Sequence, residues 1–311
     1  MKPRLLQVGR LLPALEKSLA DEFDTQPLWR ETDPTAYLAA HGKEFIGLVT
    51  SAREGANAAF MDALPSLKVI ANFGVGYETI DVHAAKGRGV AVSNTPDVLT
   101  DCVADLAFGL VIDAARGISA ADRFVRRGDW QRGGFPLTTR VSGKRLGILG
   151  LGRIGAAIAK RAGGFDMEVR YHNRRPVANV GYGYEASLLE LARWADFLVV
   201  ASAGGPSTHR LVSAEVIAAL ADGYLINISR GSVVDESALV TALVNKRLGG
   251  AALDVFENEP NVPAVLFSLD NVVLLPHIAS GTNETRQGMA DLVLANLRSF
   301  FKEGKLATPV A

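Results

Sequence analysis

The sequence predicts an α/β protein of two domains, on three observations. Strand-length apolar runs alternate with helix-length amphipathic segments along almost the whole chain, which is typical of parallel sheets with helices on their faces. The chain has 311 residues, more than one hydrophobic core usually organises. A connector rich in Gly, Pro and Thr, "RGGFPLTTRVSG", separates two such series and indicates a boundary between them.

The first series predicts four strands followed by one long helix. A single helical pattern runs from Leu99 to about Arg127, with Pro96 just ahead of it. The strands are expected at 4–9, 46–50, 67–73 and 90–94.

The second series predicts six strands, the number found in a dinucleotide-binding sheet. A terminal amphipathic helix is expected over 283–305, and its packing on the first domain would make that domain discontinuous. The strands are expected at 145–150, 167–173, 197–202, 224–229, 251–256 and 272–277.

Composition argues against several classes of protein. With 33 basic and 33 acidic residues, no global field attracts nucleic acid or an anionic membrane. Apolar stretches end before the roughly 20 residues that a bilayer crossing needs. The N-terminus lacks the apolar core of a secretory signal, so we expect a cytoplasmic protein. The single Cys102 and five scattered histidines predict no disulfide and no metal site.

The strongest local motif is "LGILGLGRIGAAIAKR", in which Gly150, Gly152 and Gly155 form G-x-G-x-x-G between a predicted strand and a predicted helix. These glycines allow, in order, a tight turn, close approach of a pyrophosphate, and close packing of helix on strand. The N–H groups of Arg153 and Ile154, at the positive end of the helix, would bind the phosphates. The alternative is a glycine turn without a ligand.

The charge pattern after the next strand predicts which dinucleotide binds. An NAD site has an acidic residue about 20 positions beyond the glycines, and that carboxylate would repel a 2′-phosphate. This chain has Asn173 there, followed by Arg174 and Arg175, whose guanidinium groups can clamp a phosphate. At roughly 1.5–3 kcal/mol per charged hydrogen bond, NADP(H) would be favoured by about ten-fold or more. The alternative is a pair of surface arginines beside an NAD pocket.

Three segments at the ends of later strands, "NISRGSVVDE", "DVFENEP" and "LLPHIASGT", together with "LGLGRIG", resemble the D-2-hydroxyacid dehydrogenase family. The resemblance extends over nearly the whole chain, beginning at "ANFGVGYETID". The segments "FPLTTRVSGKRLGILGLGRIG" and "YHNRR" are most similar to its NADPH-dependent glyoxylate/hydroxypyruvate and hydroxyphenylpyruvate reductase branch. The resemblance implies a Rossmann domain over 99–278, inserted into a smaller flavodoxin-like substrate domain formed by 1–98 and 279–311, with a cleft between them and a homodimeric assembly.

The resemblance also implies a catalytic set of Arg230, Glu259 and His277. Hydride addition to a 2-oxo acid needs a cation for the substrate carboxylate and an acid for the developing alkoxide. Arg230 has a planar fork suited to the first task, and His277 can perform the second if Glu259 stabilises its charged form. Taken singly, each residue has a structural alternative: a helix cap or ion pair, a loop acid, or a strand-end histidine.

By the same resemblance, the backbone N–H groups of Val75 and Gly76 bind the other side of the substrate carboxylate. A glycine lets the chain approach an anion closely, although a plain strand-to-helix turn is the alternative. Asp254 and the carbonyl of Ile228 are implied to hold the nicotinamide carboxamide.

One segment departs from the family pattern, and two aromatic residues have two possible roles. The segment "ASAGGPSTHR" replaces a more usual "PLT"-like segment, so contacts from Ser202 or Thr208 to the adenosine are not carried over. Trp130 and Phe135 either reach a partner's site across a dimer or fill its interface.

The predicted function is reduction of a small 2-oxo acid by NADPH to the D-2-hydroxy acid. Glyoxylate or hydroxypyruvate is the first expectation, and an arylpyruvate the second. A corepressor that binds the nucleotide without turnover is one alternative, against which the intact catalytic set counts. A formate-dehydrogenase-like enzyme is another, but that branch has a Gln–His pair where this chain has Glu259.

Overall fold

The computed structural model describes residues 2–310, whose strands and helices are as follows. The strands are β1 Arg4–Gln7, β2 Asp24–Pro27, β3 Gly47–Ser51, β4 Val69–Phe73, β5 Ala91–Ser93, β6 Arg145–Leu149, β7 Glu168–His172, β8 Gly183–Tyr184, β9 Phe197–Val200, β10 Tyr224–Asn227, β11 Gly250–Leu253 and β12 Val272–Leu274. The α-helices are α1 Pro13–Glu22, α2 Pro34–His41, α3 Ala58–Asp62, α4 Val82–Gly87, α5 Thr100–Arg116, α6 Ile118–Arg126, α7 Arg153–Ala162, α8 Leu188–Trp194, α9 Ala214–Ala219, α10 Glu236–Val244 and α11 Asn283–Glu303.

The chain forms two units. One consists of the N-terminal segment up to Leu99 and the C-terminal segment from Gly281, and the other is the continuous segment Thr100–Ser280. The boundaries expected from the sequence were 98/99 and 278/279. The assignment of a substrate domain and a cofactor domain to these segments remains a prediction.

The first unit contains a five-stranded sheet in the order β2-β1-β3-β4-β5, with every neighbouring pair parallel. This is the flavodoxin-like strand order. Four of these strands were predicted and β2 was not. Its sequence, "DTQP", is short, polar and partly exposed at the sheet edge, so it lacks the apolar run by which the others are recognised. Helix α11 returns to this unit and packs on β4 and α1, where Arg298 forms an ion pair with Glu22.

The second unit contains a seven-stranded parallel sheet in the order β12-β11-β10-β9-β6-β7-β8. Counted from the first strand of the unit, this is the 3-2-1-4-5-6 order of a Rossmann sheet with one strand added. The predicted α/β class with two parallel sheets is confirmed. The added strand is β12 at the sheet edge. The one strand of this sheet that was not predicted is the two-residue β8, which is exposed and too short to give a periodic signal.

The prediction of one uninterrupted helix from Leu99 to about Arg127 is wrong. Helix α5 ends at Arg116 and α6 begins at Ile118, because Gly117 between them has φ +60°, the left-handed conformation in which helices often end. The Asp113 side chain then accepts a hydrogen bond from the Ser119 N–H in the first turn of α6. The apolar pattern continues across this break, so periodicity alone did not reveal it.

Membrane spans and metal clusters are both absent from the described part of the chain. None of its helices has the length and hydrophobicity to span a bilayer. Nor do its His, Cys, Asp and Glu side chains group in threes or more in a way that could hold a metal ion.

Candidate active site

The glycine motif forms the turn between β6 and α7 in the Rossmann sheet. Gly150 has φ +99°, and a Cβ atom there would lie 2.6 Å from the Ser202 nitrogen. A Cβ atom on Gly155 would lie 2.2 Å from the carbonyl oxygen of Gly150. Both positions therefore strongly disfavour a larger residue, because the turn is packed against the segment that follows β9 on one side and against its own helix on the other.

Gly152, the middle glycine, has a different environment. It is the N-cap of α7, with extended backbone angles, and a Cβ atom there would meet no atom within 4 Å. The space over Gly152 is therefore open. The first N–H groups of the helix, at Arg153 and Ile154, have no acceptor within the helix and lie at its positive end. This open, positively polarised turn fits a pyrophosphate, which needs close approach to the backbone.

Asn173 connects the end of β7 to the glycine turn. Its Oδ1 accepts a hydrogen bond of 2.7 Å from the Leu151 N–H, and its carbonyl oxygen accepts one of 3.2 Å from the Tyr184 hydroxyl. Arg174 and Arg175 follow, and both are exposed. Within residues 2–310, neither arginine forms an ion pair or a side-chain hydrogen bond. Their charges are therefore not neutralised by this chain.

Arg230 lies in the turn after β10, which is shaped by a buried residue that the sequence analysis did not identify. The Asn227 side chain donates to the Arg230 carbonyl at 3.0 Å and accepts from the Ser229 N–H at 3.0 Å. The Arg230 guanidinium donates to the Ser229 carbonyl at 2.7 Å. Ile228, in the same turn, is buried. Asn227 thus fixes the backbone from which Arg230 projects.

Glu259 and His277 form a direct pair. His277 Nδ1 lies 2.8 Å from Glu259 Oε2, and Glu259 Oε1 accepts a hydrogen bond of 3.1 Å from the Phe256 N–H. Burial acts to raise the pKa of Glu259. The hydrogen bond and charge of His277, the Phe256 N–H and the charge of Arg230 outweigh burial, so this pKa lies below its ordinary value. Glu259 and His277 are therefore in direct contact, and the charge of Arg230 acts on Glu259.

The geometry of His277 leaves one ring nitrogen available. Because Nδ1 faces the Glu259 carboxylate, Nε2 is the nitrogen left to exchange a proton with another molecule. The residue is exposed, and its backbone has φ +55°, which is uncommon for a residue other than glycine.

Asp254 follows β11 and is fully buried. Its Oδ1 accepts a hydrogen bond of 2.7 Å from the Ile278 N–H, and its Oδ2 accepts one of 2.8 Å from the Ala279 N–H. Burial raises the pKa of Asp254, and these two N–H groups and His277 act in the opposite direction. Nothing in the sequence indicated that this carboxylate binds the backbone after His277.

Val75 and Gly76 follow β4 in the first unit, in a loop held by two asparagines. Asn72 Nδ2 donates to the carbonyls of Gly74 and Gly76, at 3.0 and 2.8 Å, and Asn94 Nδ2 donates to the Val75 carbonyl at 2.9 Å. Three successive carbonyl groups are thus bound by side chains of the same unit. Asn72 and Asn94 were not singled out from the sequence, where nothing relates them to this loop.

The sheet order and the glycine turn define a dinucleotide-binding α/β protein. Residues 108–279 match the family model described as D-isomer specific 2-hydroxyacid dehydrogenase, NAD binding domain. The chain belongs to this family, as its sequence motifs had indicated, and it is a 2-hydroxyacid dehydrogenase or 2-oxoacid reductase.

Similar proteins have been named in several organisms. A hydroxyphenylpyruvate reductase of Plectranthus scutellarioides is 50% identical over 297 residues, and a glyoxylate/hydroxypyruvate reductase of Arabidopsis thaliana is 48% identical over 297 residues. In both cases the match covers 95% of each chain. An NADPH-dependent glyoxylate/hydroxypyruvate reductase from Sinorhizobium meliloti, solved with NADP and malonate, is 44% identical, with a TM-score of 0.92 over 100% of this chain and 97% of that chain.

Proposed function

We propose that this protein reduces a small 2-oxo acid to the D-2-hydroxy acid with NADPH. Glyoxylate and hydroxypyruvate are the preferred substrates, and arylpyruvates are second. The observation on which this proposal depends is the 2.8 Å contact between His277 Nδ1 and Glu259 Oε2. The names of the similar reductases from Plectranthus, Arabidopsis and Sinorhizobium support the substrate class.

Each of the three residues has a distinct chemical role. Arg230 binds the substrate carboxylate through its planar guanidinium. A bound reduced nicotinamide supplies the hydride to the carbonyl carbon. As the carbonyl oxygen gains negative charge, it takes a proton from Nε2 of His277, and the Glu259 carboxylate stabilises the charged imidazole and keeps it oriented. In the oxidative direction, neutral His277 accepts the alcohol proton.

The loop at Val75 and Gly76 provides a second contact to the substrate carboxylate in this proposal. An anion binds backbone N–H groups, so a loop whose carbonyls are already occupied presents less repulsion to it. In this loop the carbonyls of residues 74–76 are occupied, because they accept hydrogen bonds from Asn72 and Asn94.

Cofactor binding is proposed at the glycine turn and at the segment after β7. Gly150, Gly152 and Gly155, with the N–H groups of Arg153 and Ile154, hold the pyrophosphate. Asn173, Arg174 and Arg175 receive the 2′-phosphate, because the amide is uncharged and the two exposed arginines have no ion-pair partner within residues 2–310. Ile228 offers its carbonyl, and Asp254 its carboxylate, to the nicotinamide carboxamide.

A homodimer is proposed as the assembly. The second unit has a groove of about 530 Å³ with a largely apolar lining that includes Ile118, Phe135 and Leu137. Ile118 is half-exposed, and Leu137 and Trp130 are more exposed still. A second copy of the chain that covers this surface would bury these side chains.

One assay tests the proposed reaction. NADPH oxidation is followed by absorbance with glyoxylate, hydroxypyruvate, phenylpyruvate and 2-ketogluconate, and the panel is repeated with NADH. We expect turnover with the two small acids and a higher kcat/KM with NADPH. Tight NADPH binding without turnover of any of the four acids would instead favour the corepressor-like alternative.

A further inference from the structure

Asp254 is a fully buried carboxylate, and burial of a charge is unfavourable by several kcal/mol unless the charge is compensated. Within residues 2–310, no lysine or arginine forms an ion pair with it. Its main compensation consists of the N–H groups of Ile278 and Ala279, at 2.7 and 2.8 Å, one on each oxygen. Each oxygen of this buried carboxylate therefore accepts a hydrogen bond from one of two successive backbone N–H groups.

These two donors immediately follow His277 in the chain. The left-handed backbone of His277, with φ +55°, is unfavourable by about 1–3 kcal/mol for a residue with a side chain and persists only where its surroundings hold it. The bonds from Asp254 hold the chain directly after this residue. They thereby stabilise His277 in a left-handed backbone conformation that is otherwise unfavourable for this residue.

The segment from Asp254 to Glu259 thus binds His277 at two points. Asp254 holds the backbone after it, and Glu259 holds the ring through Nδ1. Glu259 is itself fixed by the Phe256 N–H of the same segment. With the backbone and one ring nitrogen both restrained, the position of Nε2 is determined.

We propose that Asp254 is the positioning residue for His277, acting on proton transfer through the backbone of Ile278 and Ala279. This inference rests on the proposed function, in which His277 is the proton donor. It gives Asp254 a role in kcat, separate from the contact to the nicotinamide carboxamide that the family resemblance implies.

The chemistry of the site makes Asp254→Asn an informative change. An amide of the same size has one acceptor oxygen, and its NH₂ group would face one of the two N–H donors. One backbone bond is lost and a donor–donor contact replaces it. Asp235→Asn is the matched control, because Asp235 also accepts a backbone N–H, from Ala238 at the N-cap of α10, where Asn is equally suited.

The first measurement separates the two roles of Asp254. For Asp254→Asn we expect kcat to fall by about 100-fold, as for a misplacement of order 1 Å, while the NADPH dissociation constant rises by about ten-fold at most, from the weakened carboxamide contact. Hydrogen exchange at the amides of 278 and 279 is expected to accelerate, and Asp235→Asn should change none of these quantities. An increase in the NADPH dissociation constant that accounts for the loss of activity would overturn the proposal in favour of a cofactor contact.

The second measurement is a double-mutant cycle with His277→Ala. If Asp254 acts through His277, then Asp254→Asn causes no further loss of kcat in the His277→Ala background. A full additional 100-fold loss there overturns the proposal while His277 remains the proton donor. Undiminished turnover of His277→Ala alone would overturn the proton-donor role, and with it this inference. Should Asp254→Asn fail to fold, Asp254→Glu, which keeps the charge but displaces it, takes its place in the cycle.

Discussion

Asn173 Oδ1 lies 2.7 Å from the backbone nitrogen of Leu151, so the residue that precedes the two arginines also fixes the glycine turn. The hydrogen bond needs only an acceptor oxygen, which an aspartate would provide equally well. Selection between an amide and a carboxylate at this position therefore concerns charge and not the geometry of the turn.

Asn173→Asp is expected to keep the turn and to reduce the preference for NADPH over NADH. The carboxylate still accepts from the Leu151 N–H, but it repels a 2′-phosphate, so NADPH affinity should fall by about ten-fold or more while NADH affinity changes little. Fluorescence titration with both nucleotides measures this. Asn173→Ala, which removes the acceptor, is the control and should weaken both nucleotides; equal losses for both with Asn173→Asp would contradict the assignment.

Replacement of both Arg174 and Arg175 by Ala is expected to weaken NADPH binding selectively. Loss of one or two charged hydrogen bonds, at roughly 1.5–3 kcal/mol each, corresponds to ten-fold or more in the dissociation constant for NADPH. NADH lacks the 2′-phosphate and should bind as before. Arg193→Ala, an exposed arginine of α8, is the control. A parallel loss of NADH affinity would show that the pair does not contact the phosphate.

The glycine turn allows a comparison of two equally small substitutions. Gly152→Ala places a methyl group in open space, so the fold should be unaffected while the methyl occupies the approach of the pyrophosphate. Gly155→Ala forces a Cβ atom to 2.2 Å from the Gly150 carbonyl, which should lower the free energy of unfolding by about 1–3 kcal/mol. Thermal unfolding and NADPH titration distinguish the two. Normal NADPH binding by a folded Gly152→Ala protein would argue against a pyrophosphate at this turn.

His277→Ala is expected to lower kcat by about 10²–10⁴-fold, the usual contribution of a general acid. NADPH affinity should be nearly unchanged, because the proton donor acts in the transition state. His209→Ala, at an exposed histidine outside the site, is the control and should keep full activity. Steady-state kinetics with glyoxylate and NADPH gives both parameters, and near-normal turnover would assign the proton donor to another group.

The depressed pKa of Glu259 has a consequence for stability in acid. An acid whose pKa is lower in the folded than in the unfolded state stabilises the fold fully above its unfolded value, about 4.3, and this contribution is lost as the pH falls through the folded value. Glu259→Gln should therefore be less stable than the unmodified protein near neutral pH, and the difference should shrink below about pH 4. Urea unfolding of both proteins across this range measures it; a difference independent of pH would show that the charge of Glu259 is not involved.

Much of the architecture was accessible from the sequence because its parallel strands are buried on both faces and appear as continuous apolar runs. Strands β6 and β9, for example, coincide with predicted segments to within two residues. The elements that were missed lack such runs: β2 is polar and β8 has two residues. The break at Gly117 was missed because a glycine within an apolar helical pattern is compatible with either conformation.

Only part of the candidate site could be predicted from the sequence, for a different reason. Glycine spacing and strand-end motifs are local, so the amino-acid sequence alone is enough to locate them. The partners of Asp254 and the roles of Asn72, Asn94 and Asn227 depend on which carbonyl and N–H groups lie within 3 Å after folding. Asparagines are common in loops, and no spacing rule in a single sequence distinguishes those that bind backbone groups from the rest.

The return of α11 to the N-terminal unit has a consequence for biosynthesis. The first five strands leave the ribosome well before the helix that packs on β4 and α1, because that helix begins only at Asn283. We expect the uninterrupted segment Thr100–Ser280 to complete its folding first. Until α11 has been made, the face of the five-stranded sheet on which it packs stays exposed. Nascent chains that stall before residue 283 would therefore expose a sheet whose last strand was made about 190 residues earlier. A chaperone that shields apolar surface would then be needed at a segment of the chain far from the stall.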